Sequence, residues 1–289
     1  MKSRPPVILI GMSRSGTTML MRMLEQLGLF TGGKKTRNNE AVFFQHLNKW
    51  LLAQSSGGLE NPSSIKYLLE DKEARTLFAE FICYTMKTPK VISFLGWGKY
   101  LRYRTPLNLD ISWGWKDPRN TYTLPIWLDI FPDAKVIHIC RHPVDVINSL
   151  RARRRRGLWR LKERHARVKP LYWFYLMLKF IQKQRVFVDL RCVSLDEGLS
   201  MWEEYIYEAR THVRALGDRA IEVRYEELLS EPARLLKYIA GFCELQATDR
   251  DIEKAAKQVK DDRAYAYRDN PELEAFTVRV AERLRAHGY

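Results

Sequence analysis

Cysteine is scarce in this chain of 289 residues: Cys83, Cys140, Cys192 and Cys243 lie far apart, with no C-x-x-C pair. That excludes a disulfide scaffold and a cysteine-based zinc site, and it suggests reduced thiols and a cytoplasmic address. The six histidines show no paired ligand spacing, so no metal site is expected. No apolar run is long enough to span a bilayer. Met1-Lys2-Ser3-Arg4-Pro5-Pro6 leads straight into a strand pattern, leaving no room for a signal peptide. No internal repeat is present. Acidic residues are outnumbered, 34 against 49 Lys and Arg, and the net charge of +15 points to anionic partners.

What is present begins with a loop. Val7-Ile8-Leu9-Ile10 reads as a short buried strand, then Gly11-Met12-Ser13-Arg14-Ser15-Gly16-Thr17-Thr18 leads into a helix from about Thr17. The two glycines permit a tight turn and close approach of the main chain to an anion, and the helix aims its positive end there. A nucleotide triphosphatase would read G-x-x-x-x-G-K-[ST]. Gly11, Gly16 and Thr18 keep that pattern, but Thr17 stands where the Lys belongs. The anion cradle is kept, the residue that reaches a γ-phosphate is missing, and Arg14 places a cation inside the loop.

Three further segments carry candidate chemistry. Lys135–Cys140 reads as a buried strand ending in Arg141-His142-Pro143, with Ser149 eight residues beyond Arg141 on the following helix and Arg153 one turn later. Arg141 thus falls at the carboxyl end of a strand, where open α/β sheets bind ligands. Ile221–Arg224 is a short strand followed by Tyr225-Glu226-Glu227. Tyr225 is suited either to stacking on a base or to fixing the strand end through its hydroxyl. Lys116, in Trp113-Gly114-Trp115-Lys116-Asp117-Pro118-Arg119, is a second candidate cation, a partner of Asp117 or a surface charge.

The string Ser13-Arg14-Ser15-Gly16-Thr17-Thr18 resembles the 5′-phosphosulfate loop of sulfotransferases that use 3′-phosphoadenosine 5′-phosphosulfate (PAPS). Arg141 and Ser149 match that family's 3′-phosphate site, with Arg153 a helper, and Tyr225 matches the tyrosine near its adenine. One branch of the family carries a His base two residues after the position of Lys116, and here Pro118 stands there. Asn39-Glu40-Ala41-Val42-Phe43-Phe44 instead resembles the Glu-x-x-Phe-Phe segment of glycosaminoglycan sulfotransferases; tyrosylprotein sulfotransferases also place a Glu shortly after the first helix. The resemblance implies PAPS bound by Arg14, Ser15, Gly16, Thr17, Thr18, Arg141, Ser149, Arg153 and Tyr225. Glu40, partly desolvated by Phe43 and Phe44, would be the base; His46 and His138 are fallbacks, His138 reading as a core residue. Arg14 and Lys116 would stabilise the charge that develops in transfer, supplying what Mg²⁺ would otherwise bring. A basic C-terminal loop with Arg263 and Arg268 would close the 3′-phosphate site.

The implied fold is α/β, a P-loop-like three-layer sandwich with a central, mostly parallel sheet and helices on both faces. Strands are expected at 6–10, 113–116, 135–140 and 220–224. Helices are expected at 17–28, 40–55, 63–86, 121–131, 143–156, 195–216, 232–243, 249–260 and 271–287, with an irregular stretch before 112. Ser194-Leu195-Asp196-Glu197 reads as a capping box. Residues 1–289 are expected to form one sulfotransferase domain, with 154–188 a basic and aromatic insertion on the acceptor side. Arg151-Ala152-Arg153-Arg154-Arg155-Arg156 and the apolar Leu171–Ile181 give that segment three readings: peripheral contact with an anionic membrane, a hold on an acidic glycan or acceptor tunnel, or a solvated helix followed by a buried one. The expected activity is sulfuryl transfer to an acceptor hydroxyl, on a carbohydrate or lipid-linked substrate, without nucleic acid as partner. The rivals are a P-loop kinase-like nucleotide-binding protein, which Thr17 disfavours, and a non-enzymatic membrane or polyanion binder, which leaves the second phosphate site unexplained.

Overall fold

Four consecutive apolar residues, three of them β-branched, make Val7–Ile10 a strand that is buried on both faces. In the computed structural model, which describes residues 3–182, 186, 188–259 and 263–289, this strand (β1) lies inside a four-stranded parallel sheet. The others are β2 (Gly114–Lys116), β3 (Lys135–Cys140) and β4 (Ala220–Arg224), in the order β2-β1-β3-β4. Val7 pairs with Gly114 on one side and Lys135 on the other, and Val136 pairs with Ala220.

The helices in chain order are α1 (Thr17–Gln26), α2 (Val42–Gln54), α3 (Ile65–Glu70), α4 (Lys72–Met86), α5 (Ile92–Tyr103), α6 (Asn120–Ile130) and α7 (Pro143–Arg167). They continue as α8 (Lys169–Ile181), α9 (Leu195–Leu216), α10 (Tyr225–Ser230), α11 (Pro232–Phe242), α12 (Asp249–Ala256), α13 (Pro271–Arg279) and α14 (Ala281–Ala286). The chain divides into two compact units. One comprises Met1–Arg141 with Glu204–Ala264, and the other His142–Glu203 with Tyr265–Tyr289.

The first unit holds the sheet. Side chains alternate across a strand, so Val7 and Leu9, Ile137 and Ile139, and Ile221 and Val223 share one face, where they join Leu20 and Leu24 of α1, Leu228 of α10, Leu236 of α11 and Ile252 of α12 in one core. On the other face α6 packs against β1. There Arg210 of α9 donates three hydrogen bonds to Glu222 of β4 (2.9, 3.0 and 3.3 Å), which also meets His138 Nδ1 of β3 at 2.9 Å. This is the expected three-layer α/β arrangement, its strands all parallel. The second unit is helical: Tyr267 donates its N–H to Asp145 of α7 at 3.0 Å, and Arg151 of α7 pairs with Glu272 of α13 at 3.0 Å.

Several boundaries differ from the sequence reading. The helix expected over 63–86 is two, because Asp71 takes extended angles and caps α4, accepting from the N–H groups of Glu73 and Ala74, both at 3.0 Å. The stretch expected to be irregular contains α5, kinked where Gly96 adopts φ 70°. Helix α2 starts at Val42 and leaves Glu40 in the preceding turn. The helix expected to stop at 156 runs to Arg167, since arginine is a good helix former and charge alone ends nothing. The final helix is α13 and α14, interrupted at Val280. Lys260, the expected end of α12, lies outside the described residues; the helix ends at Ala256.

Candidate active site

The loop after β1 has the backbone its sequence demands. Gly11 and Gly16 take φ 130° and 93°, and Arg14 takes φ 78°, a left-handed conformation that costs a non-glycine residue about 1–3 kcal/mol. A Cβ on Gly11 would lie 2.4 Å from the carbonyl oxygen of Ile139, and one on Gly16 would lie 2.3 Å from the ring of Tyr225. The Gly11 N–H donates to Thr121 Oγ1 at 3.0 Å. Gly16 precedes α1 and has no side chain to cap its first N–H groups. Ser15 is 1% exposed, and its hydroxyl has no partner among the described residues. Arg14 is exposed and Thr17 buried.

Lys116 ends β2 beside this loop and is 2% exposed. Its ammonium donates to Thr18 Oγ1 at 3.1 Å and lies 3.5 Å from Glu40 Oε1. Burial pulls the Lys116 amine below the usual lysine range, against the upward pull of Glu40 and Asp117. Asp117 turns the other way. It accepts from Arg119 at 2.9 Å and from Asn48 at 3.2 Å, and burial pushes its carboxyl up while Arg119 opposes. Lys116 is therefore neither the surface charge nor the Asp117 partner that the sequence left open.

Glu40 is 7% exposed and held from three sides. Besides Lys116, Gln45 Nε2 donates to Oε2, and Thr36 Oγ1 donates to the same oxygen at 3.5 Å. A tight turn places it: Thr36 Oγ1 accepts the N–H groups of Asn38 and Glu40, both at 3.3 Å, and Asn39 sits at φ 60°, which an asparagine tolerates. Thr18 Oγ1 ties the turn to α1 by donating to Asn38 O at 3.0 Å. Phe44 was expected beside the carboxylate; its ring instead stacks on Trp115, with centroids 4.0 Å apart and planes at 8°.

Val42, two residues along the chain from Glu40, helps to wall an open cavity of about 520 Å³ with Phe43, Leu47, Trp50 and Phe81, and Lys34, His46 and Lys90 are among its polar lining. Burial, then Lys49 and Lys34, lowers the His46 pKa. His138, the other fallback base, is fully buried on Glu222 and belongs to the core.

A second cluster forms at the end of β3. The Arg141 guanidinium lies 4.5 Å from the Tyr225 ring centroid, the ring that also packs on Gly16, and Arg141 Nη2 donates to Arg263 O at 2.5 Å. Tyr225 is 5% exposed. At Arg263, then, it is the backbone carbonyl that meets Arg141. In the second unit, Ser149 lies on α7, Arg153 forms a two-pronged ion pair with Asp189 (2.6 Å each), and Arg268 lies 4.7 Å over the Tyr265 ring. The sequence reading missed Thr36, Gln45 and Asn48. Polar residues in a turn and along a helix carry no signal until the fold aims them at a carboxylate, Thr36 and Gln45 at Glu40 and Asn48 at Asp117.

A parallel α/β sheet with an anion loop after its first strand, and a buried cation closing the next strand, defines a protein of the phosphate-loop class. A model of the sulfotransferase family matches residues 5–196, and the chain belongs to that family. It is a sulfotransferase. No curated protein matches it. Similar solved structures include the sulfotransferase domain of the olefin synthase of Synechococcus PCC 7002, at 19% identity over 92% of this chain and 80% of that one, with a TM-score of 0.45. Sulfotransferase STF9 from Mycobacterium avium is 16% identical over 99% of this chain and 77% of that one, with a TM-score of 0.46. The sulfotransferase domain from the curacin biosynthetic pathway is 13% identical over 96% and 98%, with a TM-score of 0.48.

Proposed function

We propose that the enzyme moves a sulfuryl group from PAPS to an acceptor hydroxyl, with Glu40 as the base. The observation that carries this reading is the meeting of Lys116, Thr18 and Glu40 where β2 ends beside the loop. PAPS, when bound, supplies an activated sulfuryl group on a phosphosulfate anhydride. The loop residues fit such an anion: Ser15 offers a buried hydroxyl, and Gly16, Thr17 and Thr18 open a helix whose first N–H groups no side chain caps. Arg14 and Lys116 place positive charge where the bridging oxygen becomes anionic. Glu40 takes the acceptor's proton as its hydroxyl attacks, and Lys116, Gln45 and Thr36 fix the orientation of the carboxylate. Arg141 holds the 3′-phosphate and Tyr225 borders the adenine. The assignment of Ser149 and Arg153 to the nucleotide rests on the motif resemblance alone. No metal is needed in this scheme.

Residues 1–289 act in this reading as one sulfotransferase domain, with 154–188 serving the acceptor; of that segment, 183–185 and 187 lie outside the described residues. The cavity walled by Val42, Phe43, Trp50 and Phe81 is the acceptor site in this reading. Its apolar and aromatic walls favour a lipid-linked hydroxyl over a free sugar, and Lys34 and Lys90 suit an acceptor that also carries negative charge. The test is transfer of labelled sulfate from PAPS to matched acceptors, a sugar free and the same sugar lipid-linked. Label on the lipid-linked acceptor, lost in Glu40→Gln, supports the reading. Transfer only to the free sugar overturns the acceptor class, and unimpaired transfer by the variant overturns the base.

A further inference from the structure

Helix α8 is amphipathic in the wrong sense for water. Successive residues are 100° apart, so Leu171, Trp173, Phe174, Met177, Phe180 and Ile181 fall on one half of its circumference, and no charged residue shares that half. All six are exposed, Trp173 and Phe174 by 59% and Phe180 by 79%. The half-buried tyrosines lie opposite, against α7: the Tyr172 ring is 5.0 Å from that of His165, and the Arg164 guanidinium is 4.9 Å from the Tyr175 centroid. The bland sequence reading, a solvated helix followed by a buried one, fails here, for no residue of α8 is buried.

Charge identifies the occupant of this face. Residues 151–181 hold eleven Lys or Arg and one acid, Glu163, which pairs with Arg167 at 2.5 Å. Arg155, Arg156, Arg160, Lys162, Arg164 and Lys169 are exposed. A second copy of the chain would bring the same cations against these. An anionic lipid leaflet satisfies both properties at once, since its acyl boundary takes the aromatic face and its headgroups take the cations. Thirteen residues are too few to span a bilayer, and among the described residues no helix is long and apolar enough to cross one. We propose that the α7–α8 hairpin docks the enzyme on anionic membrane, with α8 lying in the plane of the interface. This stands apart from the identity of the sulfuryl donor.

The test is flotation of the full chain with vesicles of phosphatidylcholine plus phosphatidylglycerol, against phosphatidylcholine alone. The chain should float with the mixed vesicles, far less with the neutral ones, and Trp173→Ser with Phe174→Ser should weaken binding at least about tenfold. Both side chains are exposed, so the variant should keep the wild-type melting temperature, which reports an intact fold. Arg155→Glu with Arg156→Glu should weaken binding in the same assay. Failure to float with either vesicle, flotation equal in the variants, or a dimer dispersed by the Trp173 and Phe174 changes without any flotation would each overturn the proposal.

Discussion

At the residue scale the site turns on one buried lysine and one nearly buried glutamate, 3.5 Å apart. Their chemistry should separate from their packing. Glu40→Gln is nearly isosteric and should lower kcat about 10²–10⁴-fold, with the affinity for 3′-phosphoadenosine 5′-phosphate unchanged; a variant that keeps its rate would remove Glu40 from the mechanism. Lys116→Met should lower kcat about 10²–10³-fold, as loss of one donor to developing charge does. It should also destabilise the fold by about 3 kcal/mol, because Glu40 is left without its cation. The double variant should regain part of that stability and none of the activity. Denaturant unfolding and steady-state rates on the four proteins distinguish the two roles. Little of this pairing was legible in the sequence. Lys116 lies 76 residues from Glu40 and 98 from Thr18, and no local pattern reports such a meeting.

At the scale of elements, local grammar read well. The loop, the strand before Arg141 and the strand before Tyr225 are all short segments whose glycines, β-branched residues and turn chemistry act over a few positions. α5 was missed because Gly96 and Gly98 interrupt its pattern, and the break at Asp71 because a cap inside a helical period looks like one more polar residue. Two predictions belong here. Gly16→Ala adds a methyl group where the Tyr225 ring already stands, at φ 93°, and should cost about 1–3 kcal/mol together with most nucleotide affinity; a variant of wild-type stability and affinity would contradict the tight packing of loop on ring. Glu222 joins β3, β4 and α9. Burial would raise its pKa, but hydrogen bonds from His138 and Arg210 hold it at about 2, down from 4.5. The folded state therefore binds its proton less readily than the unfolded one. The stabilisation is complete above pH about 4.5 and is lost as pH falls toward 2. The full shift would correspond to about 3 kcal/mol, which water at the partly exposed carboxylate screens to about 1–2 kcal/mol. Glu222→Gln should be less stable at neutral pH by that amount, and the gap to wild type should close on acidification. A gap that persists at the lowest pH would place the stabilisation elsewhere.

For the whole molecule, the composition announced a protein for anionic partners, and the structure distributes that charge unevenly. One set of cations, Arg14, Lys116 and Arg141, belongs to the sheet unit and lies by the loop and the strand ends. The densest run lies on α7 next to an apolar helix. Overall charge could not separate these two uses; strand ends and exposed faces could. In the proposed reaction the loop and Arg141 receive a nucleoside carrying charge at both its 5′ and 3′ ends. Calorimetric titration with 3′-phosphoadenosine 5′-phosphate, beside ATP with Mg²⁺, tests it most directly. The bisphosphate should bind one to one, ATP at least about tenfold more weakly, and Arg141→Ala should lose about 2 kcal/mol for the bisphosphate while barely changing ATP, as expected when a charged hydrogen-bond partner is removed. Tight binding of ATP with Mg²⁺, no heat with the bisphosphate, and indifference to Arg141→Ala would mean that the loop serves a nucleoside triphosphate instead.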